Sequence, residues 1–398
     1  MSFLRRIFRP NEKREMTLRD PEGWRDILGP ASASGVIVTP RAALGVPAVL
    51  RAVTLLSGAV ASLPLKVYRK TDDGREVAEE NQVHRLLHRS PNPVQTPFTF
   101  KELIMNHLLL NGNFFGYIEW SSGKPQAIWP LDPLAVDVER ENGTITYVVR
   151  TSKGDQVLEP EEVLHIVGIT LDGIVGISPI TFAREAIGGA IAELRHGYSF
   201  FKNGANLSGV LQHPGHLGLE AAETLRRSWR DKFGGPANAG KVAVLEEGMT
   251  FQPISLSNKD SQWLESRQLS VLDVARIFGV PPALLGHLER ASYASQEAQD
   301  LEFLVHSLRP WLSRIEQAIN KSLIGHANLY AEFATGDLVR TTIEKRYQAY
   351  RVALAAGFMT VNEVRALENL PAVEGGDVIY RPLNMGVLGE EEEDEKGD

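Results

Sequence analysis

Apolar residues recur along this chain with two periods, and the switches between them mark out its elements. Between 46 and 63 (VPAVLRAVTLLSGAVASL) the spacing is three to four residues, which predicts a helix that ends before Pro64. LKVYRK (65–70) alternates as a strand and TDDG (71–74) reads as a turn. HRLLH (84–88) and FTFKELIMNHLLLNG (98–112) return to the helical period, the second closed by Gly112. A strand-rich stretch follows: FFGYIEW (114–120), a turn at SSGKP, then AIWPL (127–131). AVDVER (135–140), the turn at Glu141-Asn142-Gly143 and TITYVVR (144–150) form a strong hairpin signal, and EVLHIVG (162–168) is a further strand. The first 175 residues therefore read as α+β.

The middle of the chain changes character. Ser178-Pro179 is a good helix start, with Ser as N-cap and Pro in the first turn. Ile180, Ala183, Ile187, Ile191, Leu194, Tyr198 and Phe201 then carry a helix to Asn203-Gly204, on the order of 35 Å at 1.5 Å per residue. Gly188, Gly189 and Gly197 lie within it, each costing roughly 1 kcal/mol against Ala, so a close-packed neighbouring helix or a flexing helix is expected there. A compact insertion follows: strand SGVLQH (208–213), an amphipathic helix on Leu219, Ala222, Leu225, Trp229 and Phe233, and strands KVAVLE (241–246) and TFQPIS (250–255). A second long helix spans about 260–278 and stops at Gly279-Val280-Pro281-Pro282. Leu301, Leu304, Leu308, Leu312, Ile315, Ile319 and Leu323 mark a long helix bent near His306–Pro310, because proline removes one backbone bond and crowds the preceding turn. A strand near 328–334, a helix at 341–356 stopped by Gly357, and a helix at 361–369 capped by Thr360 complete the pattern.

Composition narrows the function class. The chain has 398 residues, 43% hydrophobic and 23% charged, and no cysteine. That suits a folded protein of two or three structural units without disulfides or thiolate-bound metal. It holds no run of about 18 apolar residues, and MSFLRRIFRP lacks the apolar stretch of a secretory signal. The net charge of −8 is unevenly placed. Residues 1–19 carry six basic and two acidic groups, a balance of +4; the last nine residues carry seven acids and Lys396, a balance of −6. Both ends read as solvated tails. An acidic chain does not grip DNA by its overall field, since that affinity comes from neutralising phosphates, so any DNA it handles is handled loosely.

Catalytic motifs fail one by one. Gly235-Pro-Ala-Asn-Ala-Gly240-Lys241 matches seven positions of a phosphate-binding loop, but Val242 stands where a hydroxyl should hold Mg²⁺, and the loop runs from helix to strand, the wrong order. His84 and His88 have the spacing of a metal-binding pair without a third ligand nearby. Ser121-Ser-Gly-Lys124 has the spacing of an acylating serine and lysine, but it falls in a hairpin turn. The glycosylation sequons at Asn142 and Asn206 have no secretory context. The expectation is a protein without enzymatic activity, cofactor, metal or small-molecule substrate.

Four segments in order carry a family resemblance: LNGNFFGYIEW (110–120) with WPLDPLAVDV (129–138); GISPITFAREAI and FFKNGANLSGVL within 176–211; ESRQLSVLDVARIFGVPPALLG (265–286) with ERASYASQEAQ (289–299); and EKRYQAYRVALAAGFMTVNEVRALENLPAVEGGD (344–377). Together they resemble the portal family of long-tailed phages and gene transfer agents, over roughly 40–385. The resemblance implies an α+β portal fold: a flexible basic arm (1–45), a wing (46–177), a first stem helix (178–204), a clip (205–257), a second stem helix (258–282), a tunnel loop (283–293), a bent wing helix with its strand (294–337), a crown (338–372) and an acidic tail (373–398). It implies a ring of about twelve copies at one capsid vertex of a virion or phage-like particle, assembled in the host bacterial cytoplasm and passing double-stranded DNA during packaging and ejection. Partners implied are the large terminase subunit, a head–tail adaptor and the major capsid protein. Docking is expected on the clip through Arg226, Arg227, Arg230 and Lys232, and transient DNA contact through Gly286, His287, Leu288, Glu289 and Arg290. Long helices around a ring axis suit this picture, because their apolar stripes need neighbouring copies for burial. Two rivals are a nucleotide-driven packaging enzyme, which Val242 disfavours, and a peripheral scaffolding or membrane-associated assembly protein using Phe3, Leu4, Ile7 and Phe8.

Overall fold

The structure, a computed structural model, describes residues 31–72, 74–141, 143–202, 209–233, 244–245, 247–253, 259–287, 302–325, 328–335, 343–368 and 370–379. The chain forms two compact units, 1–334 and 335–398.

In the first unit, helix α1 (Pro47–Ser62) starts on a proline and buries Val49, Val53, Leu56 and Val60, the stripe that its periodicity implies. Strands β1 (Leu65–Thr71) and β2 (Gly74–Val77) follow, then helices α2 (Gln82–His88) and α3 (Pro97–Asn111). Thr96 caps α3 by accepting from the Thr99 N–H, and Gly112 ends it at φ 82°. Strands β3 (Asn113–Ser121) and β4 (Lys124–Pro130) form a hairpin whose turn takes Ser122 and Gly123 to positive φ. Strands β5 (Val136–Glu141), β6 (Thr144–Thr151) and β7 (Gly154–Leu158) make an antiparallel meander, and β8 (Val163–Val167) returns to pair with β3.

Two edge strands were not expected. β2 follows the expected turn at 71–74, sharing Gly74 with it, and otherwise lies, like β7, in a stretch left unassigned. Both are short and largely exposed, so neither carries the apolar alternation that reveals a strand.

The one-turn helix Pro179–Phe182, capped by Ser178, is separated from α4 (Arg184–Lys202) by Ala183 at φ −92°, ψ 18°. The expected single helix is therefore two pieces. Strand β9 (Gly209–Gln212), helix α5 (Leu219–Phe233) and strand β10 (Thr250–Pro253) make the insertion, with β9 and β10 antiparallel. Of the expected strand 241–246, only Val244 and Leu245 are described, and they belong to no described strand; the remainder, like the decoy loop Gly235–Lys241, lies outside the described residues. Helix α6 (Lys259–Phe278) packs along α4.

Phe303–Leu308 is π-helical and leads directly into α7 (Arg309–Leu323). This lies where the bend was expected. Pro310 cannot donate its own bond, and the Arg309 N–H reaches back to the Leu304 carbonyl, five residues away. Strand β11 (Leu329–Phe333) pairs with β1, which completes the sheet β11-β1-β2.

One core joins α1, α3, α4, α6, α7 and the sheets β11-β1-β2 and β4-β3-β8, through side chains such as Leu56, Leu108, Phe114, Ile187, Phe278 and Ile315. A second cluster beneath the meander contains Phe115, Tyr147 and Leu158. Residues 31–45, expected within a flexible arm spanning 1–45, are packed onto the first unit. Val36, Val38 and Ala43 are buried in the core, and the Ala33 N–H donates to Glu185 at 2.8 Å. A Cβ on Gly188 would collide with Ser32, so the close neighbour that this glycine admits is the segment near Ser32 and not a helix.

In the second unit, α8 (Ile343–Ala355) ends at Gly357 with φ 71°. There the Phe358 N–H bonds the Ala353 carbonyl, as in a Schellman turn. α9 (Val361–Leu367) carries the expected Thr360 cap, in a capping box with Glu363. Residues 373–377, expected in the acidic tail, fold back onto α9.

Candidate functional site

Backbone crossings with no room for side chains set the start of the long helices. At the C-terminus of α3, the Gly112 carbonyl accepts from the Gly168 N–H at 2.9 Å, and a Cβ on Gly168 would lie 2.7 Å from that oxygen. Gly176 approaches the same carbonyl so closely that a Cβ there would overlap it. Asn113 completes the junction: its amide donates to the Gly176 carbonyl at 2.7 Å, and its Oδ1 accepts from the Gly176 N–H at 2.6 Å. Ser178, the helix cap, also donates to the Leu110 carbonyl at 2.7 Å. The LNGN and GISP segments singled out in the sequence thus meet here, and together they aim the chain into α4.

His165 is locked into the same junction. Its Nε2 lies 3.0 Å from Asn113 Oδ1, and its Nδ1 lies 3.3 Å from the Tyr147 hydroxyl. The Asn113 amide already donates to Gly176, so Oδ1 is the acceptor and the His165 proton sits on Nε2. Burial pushes His165 down to about 4, with a smaller contribution from Lys321, and burial pushes His107 to about 4 as well. Both are neutral at pH 7. His84, half of the histidine pair, accepts from the Val67 N–H through Nδ1 at 3.2 Å and stacks on His88 with ring centroids 5.1 Å apart. It serves strand β1.

Between α4 and α6, Glu193 accepts hydrogen bonds from Ser266 and from Ser270, the latter at 2.7 Å. Sequence reading missed this clamp. Its signal was a lone carboxylate inside an apolar run and two serines four residues apart on the facing helix.

The four basic residues expected to dock a partner all lie on α5. Arg226, Arg227 and Lys232 are exposed, and Arg226 pairs with Glu223 at 3.3 Å where both side chains are about two-thirds exposed, so the pair adds little stability. Arg230 follows Arg226 by one helical turn. Trp229 stacks on Phe251 of β10, centroids 5.7 Å apart, which fixes α5 against the two-stranded sheet. An open groove of about 760 Å³ runs beside α5, lined by residues including His213, Leu217, Leu225, Glu247 and Met249.

After α6, a 3₁₀ turn (Pro282–Leu285) ends at Gly286, which has φ 89°. The His287 N–H bonds the Pro282 carbonyl at 3.1 Å. Arg51 of α1 donates from Nε to the Leu284 carbonyl at 3.2 Å, a tether that sequence reading also missed. Gly286 and His287 are therefore held next to the core, while Leu288, Glu289 and Arg290 lie outside the described residues. Ser307, in the π-helical segment, donates to the Gly279 carbonyl.

Residues 47–369 match the family described as phage portal protein. The chain is 35% identical over 385 residues to the probable portal protein of Streptomyces phage phiC31, covering 92% of this chain and 84% of the relative. To the portal protein of Enterobacteria phage HK97 it is 31% identical over 366 residues, covering 89% and 86%. Its fold is similar to a chain of the neck of a native gene transfer agent particle, computed with C12 symmetry: TM-score 0.59, 24% identity, 89% of this chain and 95% of that one.

Proposed function

The chain belongs to the phage portal protein family, and on that footing we propose that it is one subunit of a homo-oligomeric ring at a single vertex of a virion or phage-like capsid, the channel through which double-stranded DNA is packaged and ejected. The observation that carries this reading is the pairing of α4 with α6 around the insertion 209–253. Two long helices lie side by side, clamped by Glu193, and the insertion connects their far ends. In a ring of about twelve copies they are the stem, the insertion is the clip, residues 46–177 with α7 and β11 are the wing, and 338–372 is the crown.

A channel needs surfaces, not a reaction centre, and its DNA must slide. Tight phosphate neutralisation would act as a brake, so a net acidic chain suits the task. The energy for packaging then comes from a nucleotide-hydrolysing partner, the large terminase subunit, docked on the exposed basic side of α5. The head–tail adaptor takes that place afterwards, and the major capsid protein surrounds the wing. The segment 283–293, which leaves α6 through Gly286, is the part that meets DNA. Assembly takes place in the host cytoplasm.

Negative-stain imaging of the purified chain tests the reading, with the expected result of rings around a central hole and no ATP turnover. A strictly monomeric protein at high concentration, with nucleotide turnover lost on Lys241→Ala, would overturn it.

A further inference from the structure

One side of α5 is the wall of the open groove of about 760 Å³ in the insertion. Leu217, Leu225 and Met249 are half-buried along it, while Glu220 and Glu247 stand exposed. Among the described residues that line it, none is lysine or arginine. Arg226, two residues from both Thr224 and Ser228, sits on the other side of the helix from these two lining residues. The groove is therefore apolar and acidic, and it faces away from Arg226. Glu247 is held at φ 54°, in the left-handed region that side chains other than glycine rarely adopt. Its carboxylate is 82% exposed and lies 3.5 Å from Nε2 of His213, which also lines the groove.

We propose that this groove receives residues 3–9 of the same chain, docked as a short amphipathic helix. Phe3, Leu4, Ile7 and Phe8 recur at helical spacing and fall on one side, with Arg5, Arg6 and Arg9 on the other. That is the pattern a groove reads in a helix: apolar anchors on the floor and charges at the edges, which arginine reaches on its long stem. Charge selects this occupant. Residues 1–19 have a balance of +4, which complements Glu220 and Glu247, whereas the acidic end of the chain and DNA phosphate share the sign of the groove. Reach allows it. Ala31 pairs with Ile37 and the Ala33 N–H bonds Glu185 in the first turn of α4, so the arm departs beside the start of that helix. α4 leads towards the insertion, and its 19 residues span about 28 Å. Residues 10–30, fully extended, cover up to about 70 Å. A tether of that length holds the segment near the groove at an effective concentration on the order of millimolar, so even weak intrinsic affinity fills it. The inference does not depend on the ring reading.

The absence of cysteine makes a clean test possible, because Phe8→Cys with Thr224→Cys introduces the only two thiols in the full-length chain. Thr224 is exposed and lines the groove. Mild oxidation at high dilution should join the two within one chain, at least about fivefold more than in a Phe8→Cys, Arg226→Cys control, whose second thiol lies on the other side of α5. Peptide mapping separates bonds within a chain from bonds between chains. Adding Arg5→Glu and Arg6→Glu should lower the yield at least about fivefold, and adding Glu220→Arg and Glu247→Arg to that chain should restore it. No bond, bonds formed only between chains, or equal yields at 224 and 226 overturn the proposal. A yield that ignores both charge reversals overturns it as well, because the bond would then record collisions of a loose arm and not docking.

Discussion

Glu193 accepts a hydrogen bond of 2.7 Å from Ser270 across the seam between α4 and α6. Ser266, one turn earlier on α6, donates to the other carboxylate oxygen. Removing the carboxylate frees two hydroxyls, and Ser270 already has a second acceptor in the Ser266 carbonyl at 3.1 Å. The cost is therefore moderate. Glu193→Ala is expected to lower stability by about 1–2 kcal/mol, and Glu193→Gln, which keeps an acceptor, by less. Thermal unfolding followed by circular dichroism reads the difference, and an unchanged Tm in Glu193→Ala would show that apolar packing alone holds the pair.

Two glycines should respond in opposite directions. A Cβ on Gly176 overlaps the Gly112 carbonyl, so Gly176→Ala forces backbone apart and is expected to cost about 2–4 kcal/mol. Gly189 sits within α4 with open space around the position a Cβ would take, so Gly189→Ala should stabilise the isolated subunit by up to about 1 kcal/mol. If Gly189→Ala stabilises monomers yet impairs ring closure, a neighbouring copy approaches there.

His165 and His107 are held neutral, with values near 4 against about 6.5 in the unfolded chain. Between those values the unfolded state binds more protons, so stability falls as pH drops from about 6.5 to about 4 and levels off below. Each histidine contributes at most on the order of 3 kcal/mol over that window. Urea midpoints across the range should show the decline, and His165→Gln should flatten it in part. A profile unchanged by that substitution would remove His165 from the account.

Charge reversal at Arg226 and Arg230 tests the docking surface on α5. Arg226 is exposed and weakly paired, so Arg226→Glu with Arg230→Glu should leave stability within about 0.5 kcal/mol and rings intact. DNA packaging in a reconstituted reaction should drop severalfold. Packaging at the wild-type level would place docking elsewhere.

Deleting Leu288–Arg290 should preserve rings while shortening the packaged DNA or weakening its retention. A photo-cross-linker at position 290 should reach packaged DNA. If it never does while probes on α4 or α6 do, the DNA-contacting segment has been misplaced.

Helix ends were the most legible part of the chain because their signals are local. The Ser178 and Thr360 caps, and Gly112 and Gly357 at positive φ, all stand where the sequence put them. Pro310 likewise announced irregularity, though not that a π-helical segment would absorb it. The illegible parts depend on partners distant in sequence. Nothing local shows that Gly176 must pass the Gly112 carbonyl, that Gly188 receives Ser32, or that Arg51 meets Leu284. The edge strands Gly74–Val77 and Gly154–Leu158 were missed because exposed strands carry no apolar alternation. The order of elements was legible, but the Glu193 clamp and the Asn113–His165 junction were not.

The Arg51 tether has a mechanical consequence. Leu284 and Leu285, before residue 288, and Phe303 and Leu304, after residue 301, all pack on the same cluster. Arg51 braces the exit against α1, and Ser307 braces the re-entry against the end of α6. On the proposed reading, a pull from DNA on residues 283–293 is passed to both anchorages, whose helices share one interior. That load is then shared between α1, through Arg51, and the end of α6, through Ser307, and does not fall on a single hydrogen bond.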